Sequence, residues 1–253
     1  MALGLARQGG LVDSTGTGEA LVSVRGSADL PSAAASTNRY ACYPHCMPDK
    51  YLVLGHLGVV GGVLDWVTSL VGRDPGPLDI HPDLPIYIPH FNSNRHTVEE
   101  SGAWVGISPA CNAGDLLSSV MEGVCYWFRQ SAELAEMAGI PCTIKLVGGL
   151  ARYHQLTQLK ADVMGSPIEV LDYPDLALLG AAIVAGIGVG MYSSWEAHKR
   201  ETALSTHVVT PGSGRSGLYE ARYRRYRQFA AQLEWLMTDR GAEPICTKLG
   251  GEV

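Results

Sequence analysis

The chain has 253 residues, of which 46% are apolar and 17% charged, a soluble globular balance with enough length for one large domain or two small ones. A formal net charge of −6 leaves no basic footprint for nucleic acid. No apolar run approaches the ~20 residues of a membrane span, and the opening MALGLARQGG lacks the apolar core of a signal peptide. A cytoplasmic protein with reduced thiols is expected.

In chain order, MALGLARQGG reads as the end of a helix closed by Gly9 and Gly10, too short to be stable alone. LVDSTGTGEALVSV follows as a hairpin, with β-like flanks around a hydroxyl- and glycine-rich turn from Ser14 to Gly18. Arg25 to Lys50 reads as loop and irregular strand. YLVLGH is a strand. LGVVGGVLDWVTSLVG is a helix with Val60, Leu64, Val67 and Leu70 on one face, capped by Gly72. A long Pro-rich connection runs from Gly72 to Gly102, and long ordered loops often carry function. AWVGIS is a short strand.

The clearest helix is NAGDLLSSVMEGVCYWFRQSAELAEMAG. Leu117, Val120, Val124, Phe128 and Leu134 or Ala135 recur at helical spacing, with Gly139 closing it before Pro141. A strand (143–147), a helix (152–164), a strand (168–171) and a helix (177–191) come next, and this alternation predicts an α/β layer. The tail GLYEARYRRYRQFAAQLEWLMTDR reads as an amphipathic helix. Its core stripe holds Tyr219, Tyr223, Tyr226, Phe229 or Ala230, Leu233 and Leu236 or Met237, with the arginines on the other side.

Six cysteines are scattered along the chain. Cys42, His45 and Cys46 lie together in CYPHCMPDK, but a C-x-x-C pair and a second ligand pair are both missing, which argues against a metal site. His90, His96 and His154 have no Ser or Cys arrangement around them and read as surface or interface residues.

Three glycine features call for a common cause. In STGTGE, glycine supplies tight-turn angles, and such a turn aims N–H groups outward beside the hydroxyls of Ser14, Thr15 and Thr17. It is either an ordinary polar hairpin turn or an anion-binding nest. In VGGLA, Gly148 and Gly149 end a strand before a helix. They form either a plain connection or a bare surface on which a flat ring lies. A dinucleotide fingerprint is absent, since the order is G-G-L-A-R-Y and not G-x-G-x-x-G, so a NAD-dependent oxidoreductase is disfavoured. In GVVGGVLDW, Gly61 and Gly62 interrupt a helix at about 1 kcal/mol each relative to Ala, which points to close approach by a helix, a loop or a ligand.

Together these pieces resemble the C-terminal half of the FGGY family of carbohydrate kinases, over nearly the whole chain. The strongest match is GAWVGISPACNAGDLLSSVMEG. There Gly102, Trp104, Gly106, Ile107, Asp115, Leu116, Ser119, Val120, Met121 and Glu122 fit the family's C-terminal signature. STGTGE resembles its phosphate hairpin, LVGG with LKADVMGSPIEV its adenosine motif, and LLGAAIVAGIGVGMYSS the helix that closes the domain. Arg95 in PHFNSNRHT fits the Arg of a family loop.

The resemblance implies an α/β, actin-like and ribonuclease-H-like fold for residues 1–253, with 211–253 as terminal helix and tail. It also implies an ATP site in a cleft shared with an N-terminal domain. By position, Thr17 with Thr15 and Gly16 would touch the β- and γ-phosphates, Gly61 and Asp65 would line the nucleotide pocket, and Gly148 and Gly149 would accept the adenosine. Tyr153 stands where some members place an Asn near the ring.

The family's catalytic Asp lies before the phosphate hairpin. Here Asp13 is the one carboxylate ahead of STGT, and it sits within the hairpin, so no catalytic residue is assigned. Mg ligands, most of the sugar pocket and the second phosphate loop are expected from the N-terminal domain. The chain then reads as an isolated domain, a truncated gene product or half of a split enzyme. It would bind ATP weakly and phosphorylate no sugar or polyol alone, and its uncovered apolar face would favour a homo-oligomer. The alternative is a non-catalytic module that senses nucleotide or holds a partner.

Overall fold

The computed structural model describes residues 10–28, 40–58, 60–72, 76–89, 102–137, 144–173, 175–194 and 205–237, with the backbone alone at 56, 136–137 and 234–237. The expected helix end before Gly10, Arg95, His90, His96, the Gly139 cap, Cys142 and Cys246 lie outside these residues.

Seven strands form one mixed sheet in the order β3-β4-β2-β1-β7-β8-β9. Strands β1 (Leu11–Thr15), β2 (Glu19–Arg25), β3 (Tyr40–Pro44) and β4 (Tyr51–Gly58) make its antiparallel half. Strands β7 (Ile144–Val147) and β8 (Ile168–Asp172) run parallel to β1, and β9 (Ser205–Val209) closes the edge antiparallel to β8. A separate two-stranded ribbon pairs β5 (Ile86–Ile88) with β6 (Ala103–Val105).

Side-chain alternation along β1 decides which residues meet the helices. Leu11 enters the cluster that also holds Leu21, Ile144, Leu146 and Ile168. Val12 enters the opposite one with Val24, Val147 and Leu171. Asp13 and Thr15 therefore point the same way as Leu11, and Glu19 the same way as Leu21.

That face is covered by α2 (Ala113–Met137) and α3 (His154–Met164), which contribute Phe128, Ala132, Ala135 and Ala161. Behind them, α1 (Val60–Val71) and α5 (Ser216–Met237) complete a second cluster with β5. On the other face of the sheet lies α4 (Leu176–Gly188), which reaches it through Leu176.

Caps match local sequence. Asn112 Oδ1 accepts from the Gly114 and Asp115 amides while Asp115 Oδ2 accepts from the Asn112 amide, a reciprocal N-terminal box for α2. Gly72 at φ 67° and Gly165 at φ 65° end α1 and α3 in the left-handed conformation.

Several sequence expectations need correction. Leu70 is 62% exposed and does not share the buried face of Val60, Leu64 and Val67. The long Pro-rich connection contains a buried strand, β5, too short to show a period. Strand β9 falls where no element was expected. The arginines of α5 are not all solvated: Arg222 is 2% exposed. Of the described cysteines, Cys125 is buried, Cys42 and Cys111 are partly buried and Cys46 is exposed.

Candidate nucleotide half-site

The β1–β2 turn is held from two sides by backbone. On one side the Gly61 amide donates to the Gly16 carbonyl at 3.1 Å, and the Gly62 amide to the Thr17 carbonyl at 3.4 Å. The turn carbonyls thus satisfy the first amides of α1, which an N-terminus otherwise leaves open. A β-carbon at Gly61 would lie 2.4 Å from the Gly16 oxygen. On the other side Gly148 has φ 103°, and a β-carbon there would lie 2.1 Å from the Thr15 oxygen. The three glycine features of the sequence therefore form one place.

Within that place the residues have different roles. Thr17 and Gly18 are exposed at the turn, and Gly16 is partly so. The Thr15 hydroxyl is turned inward and donates to Glu19 Oε2 at 2.9 Å, and the residue as a whole is buried, with its carbonyl against Gly148. Ser14 is exposed. Gly149 opens a 3₁₀ turn (Gly149–Arg152), and a β-carbon there would meet nothing within 4 Å. Asp65 lies one helical turn after Gly61, on the same face of α1, and is exposed. Tyr153 packs its ring against the cluster of α1, α2, α3 and α5, with its hydroxyl buried and unpartnered among the described residues.

Behind the turn lies a charged group that sequence reasoning missed. Lys160 Nζ is 2.6 Å from Asp13 Oδ2 and 3.0 Å from Glu19 Oε1, and all three side chains are buried. The signals were a carboxylate at an inward position of β1 and a lysine inside the apolar stripe Leu156, Leu159 and Val163. Burial first, then the Glu19 charge, pushes the Asp13 carboxyl up to about 7 against the pull of Lys160. Burial alone would lower the Lys160 ammonium, but Asp13 and Glu19 reverse this and raise it. Paired in this way, Asp13 is closed off from solvent.

The signature segment builds structure. Trp104 Nε1 donates to Ser119 Oγ at 3.0 Å, tying β6 to α2. Arg222 grips Glu122 through Nε and Nη2, both at 2.6 Å, and its Nη1 donates to the Pro82 and Leu84 carbonyls at 2.9 Å. The described residues do not fit Mg coordination by this half. No group of three His, Cys, Asp or Glu side chains is placed to hold a metal, and the acids beside the turn are committed to Lys160. At the Cys42 end, His45 Nδ1 accepts from the Met47 amide. An open cleft of about 440 Å³ lies between α3 and the start of α5, lined by His154, Asp162, Arg215 and Tyr219 among others. No described helix is long and apolar enough to cross a membrane.

Residues 11–189 match the model of the FGGY family of carbohydrate kinases, C-terminal domain. The chain belongs to that family. A xylulose kinase of Staphylococcus epidermidis is 24% identical over 210 residues, covering 78% of this chain and 42% of that protein. A glycerol kinase of Chloroflexus aggregans is 25% identical over 215 residues, with the same two shares. Among solved structures, xylulose kinase from Rhodospirillum rubrum superposes with a TM-score of 0.76 at 22% identity, over 93% of this chain and 49% of that one. Plasmodium falciparum glycerol kinase, solved with ADP, gives a TM-score of 0.69 at 17% identity over 91% and 48%. The FGGY domain here has their actin-like ATPase fold, and the chain spans about half the length of the curated relatives it matches.

Proposed function

We propose that residues 1–253 are the nucleotide-binding half of an ATP-dependent carbohydrate kinase, which transfers the γ-phosphoryl group to a sugar or polyol hydroxyl. The observation that carries this reading is the meeting of the Thr15–Gly18 turn with Gly148 and Gly61. Thr17 and Gly16 receive the β- and γ-phosphates on the exposed side of the turn, and buried Thr15 anchors the turn beneath them through Glu19. The open face of Gly149, beside Gly148, receives the adenosine. Gly61 holds the turn from α1, and Asp65 borders the pocket on the same face. The Tyr153 ring supports the Gly149 turn from the core side. The ADP in the Plasmodium glycerol kinase supports the nucleotide class.

Phosphoryl transfer depends on positioning and on charge stabilisation from both sides of the cleft. The base that takes the hydroxyl proton, the Mg ligands and most of the sugar pocket are assigned to an N-terminal domain. The apolar side of α4, with Leu178, Val184, Val189 and Met191 exposed at its surface and C-terminal end, is assigned to contact with that domain. The relatives are about twice as long as this chain, which supplies the room for it.

Calorimetric titration with ATP, ADP and NAD, beside an assay of ATP-dependent xylulose and glycerol phosphorylation, tests this. Weak ATP and ADP binding, no NAD binding and no phosphorylation by the chain alone are expected. Measurable phosphorylation by the purified chain would overturn its status as a half-enzyme, and absence of ATP and ADP binding would overturn the nucleotide reading.

A further inference from the structure

The two acids that flank the phosphate turn are sealed in. Asp13 and Lys160 are 0% exposed and Glu19 1%. Asp13 comes from the middle of β1 and Glu19 from the start of β2, so both legs of the turn reach one ammonium on α3. Thr15 adds a third tie through Glu19 Oε2. The ammonium also lies 4.6 Å from the centroid of the Phe128 ring on α2. Within the turn, Thr15 alone contributes a side chain to these contacts. The contacts to the ammonium are made by its flanks, Asp13 and Glu19.

The charges do not balance. Two carboxylates face one ammonium, which leaves a net negative charge among side chains buried from solvent. A buried charge without a partner costs far more than a shared proton, so such a group neutralises instead. Asp13 is the carboxylate less well held: among the described residues its Oδ1 has no hydrogen-bond partner and its Oδ2 meets Lys160 alone, whereas Glu19 meets Lys160 through Oε1 and Thr15 through Oε2. The other facing groups do not supply the missing charge. Cys125, on α2, is buried with its thiol pushed up by that burial. Glu122, one turn earlier on α2, is neutralised by Arg222 and accepts from the Tyr126 hydroxyl.

We propose that Lys160 is a positioning residue for the phosphate turn, holding Asp13 and Glu19 on one ammonium with a single proton retained on Asp13 Oδ1 when nucleotide is bound. This rests on the reading of the turn as a phosphate site. The proton matters because its loss places a unit negative charge directly behind a turn that receives phosphates. Nucleotide affinity therefore falls as pH rises through neutrality, and it falls because of Asp13. Replacing Asp13 with Asn keeps the shape and removes the titration.

Two measurements on the full chain test this. The first is the Kd for ADP from pH 6 to 8.5 in the unaltered protein and in Asp13→Asn. The unaltered protein should lose up to about tenfold more affinity across that range than the variant, the effect of one unit charge ~10 Å away at an effective dielectric constant of about 20. ADP ionises identically in both, so equal slopes would overturn the proton on Asp13.

The second is amide hydrogen exchange, which needs no nucleotide. Lys160→Met alone strands two carboxylates and endangers folding, so the variant is D13N/E19Q/K160M, which is neutral and close in shape. Its amides at residues 14–19 should exchange at least about tenfold faster than in the unaltered protein, with those of β7 and β8 unchanged. Unchanged protection at 14–19 would overturn the positioning role. A chain that binds no ADP at any pH overturns the nucleotide reading and the pH arm with it, and the exchange arm then decides the positioning role by itself.

Discussion

Gly148 and Thr15 touch through bare backbone: a β-carbon on Gly148 would fall 2.1 Å from the Thr15 carbonyl oxygen. The residues are far apart in sequence, yet the parallel register of β1 and β7, which pairs Ser14 with Val147, brings them together. The glycine pair of VGGLA and the hydroxylated hairpin turn are for this reason two walls of one site.

Gly148→Ala should cost about 3 kcal/mol or more in urea denaturation, because it combines a left-handed backbone with a steric overlap that the strand cannot relieve. Gly149→Ala adds its methyl to open space and should change stability by less than about 1 kcal/mol. It should still weaken ADP binding in a calorimetric titration, since the methyl covers the face assigned to adenosine. Two variants one residue apart thus separate the structural glycine from the ligand-facing one.

Gly61→Ala has opposing effects. Helix propensity favours Ala by about 1 kcal/mol, but a β-carbon 2.4 Å from the Gly16 oxygen forces α1 away from the turn. Overpacking of this kind costs about 1–3 kcal/mol, so a net loss of stability is expected on thermal denaturation. The amides of Gly61 and Gly62 should lose protection against hydrogen exchange.

Arg222→Ala should destabilise the chain by about 3–5 kcal/mol, the cost of stranding the buried Glu122 carboxylate. The pair E122L/R222M removes both charges and should recover much of that loss. Urea denaturation of the two variants measures the difference.

Stability should depend on pH through Asp13. Its carboxyl is raised from the ordinary 3.8 to about 7 in the folded chain, chiefly by burial. The folded state therefore binds this proton more tightly than the unfolded state. The contribution is fully present below about pH 3.8 and is lost as pH rises through about 7. Comparing urea midpoints of the unaltered chain and Asp13→Asn between pH 5 and 8 isolates it: the unaltered chain should lose ground with respect to the variant up to about pH 7 and level off above it.

What the sequence disclosed follows from locality. Turn chemistry is written in adjacent residues, so STGTGE, the double glycine and the long apolar period of α2 were legible. The Asp13–Lys160 pair spans 147 positions, and Glu122–Arg222 spans 100. No periodicity reports such contacts. Arg222 sits on a helix read as apolar stripe plus solvated face and Lys160 on one read only from its place between two strands, and only the sheet alternation that turns Asp13 and Glu19 inward explains why a lysine is buried there. Strand β9, STHVV, is exposed on nearly every residue, so it shows no buried face to mark it. Ile86–Ile88 was hidden by its shortness among prolines. Leu70 fell on the expected stripe, but in the last turn of α1 it is Val71 that packs against the core and Leu70 that faces solvent.

The nucleotide half-site is tested most directly by amide chemical-shift mapping of the chain during titration with ADP. Shifts should concentrate at Gly16, Thr17, Gly18 and Gly149, saturate together and weaken in Gly149→Ala. No shifts at millimolar ADP, or shifts confined to the cleft around His154 and Arg215, would contradict it.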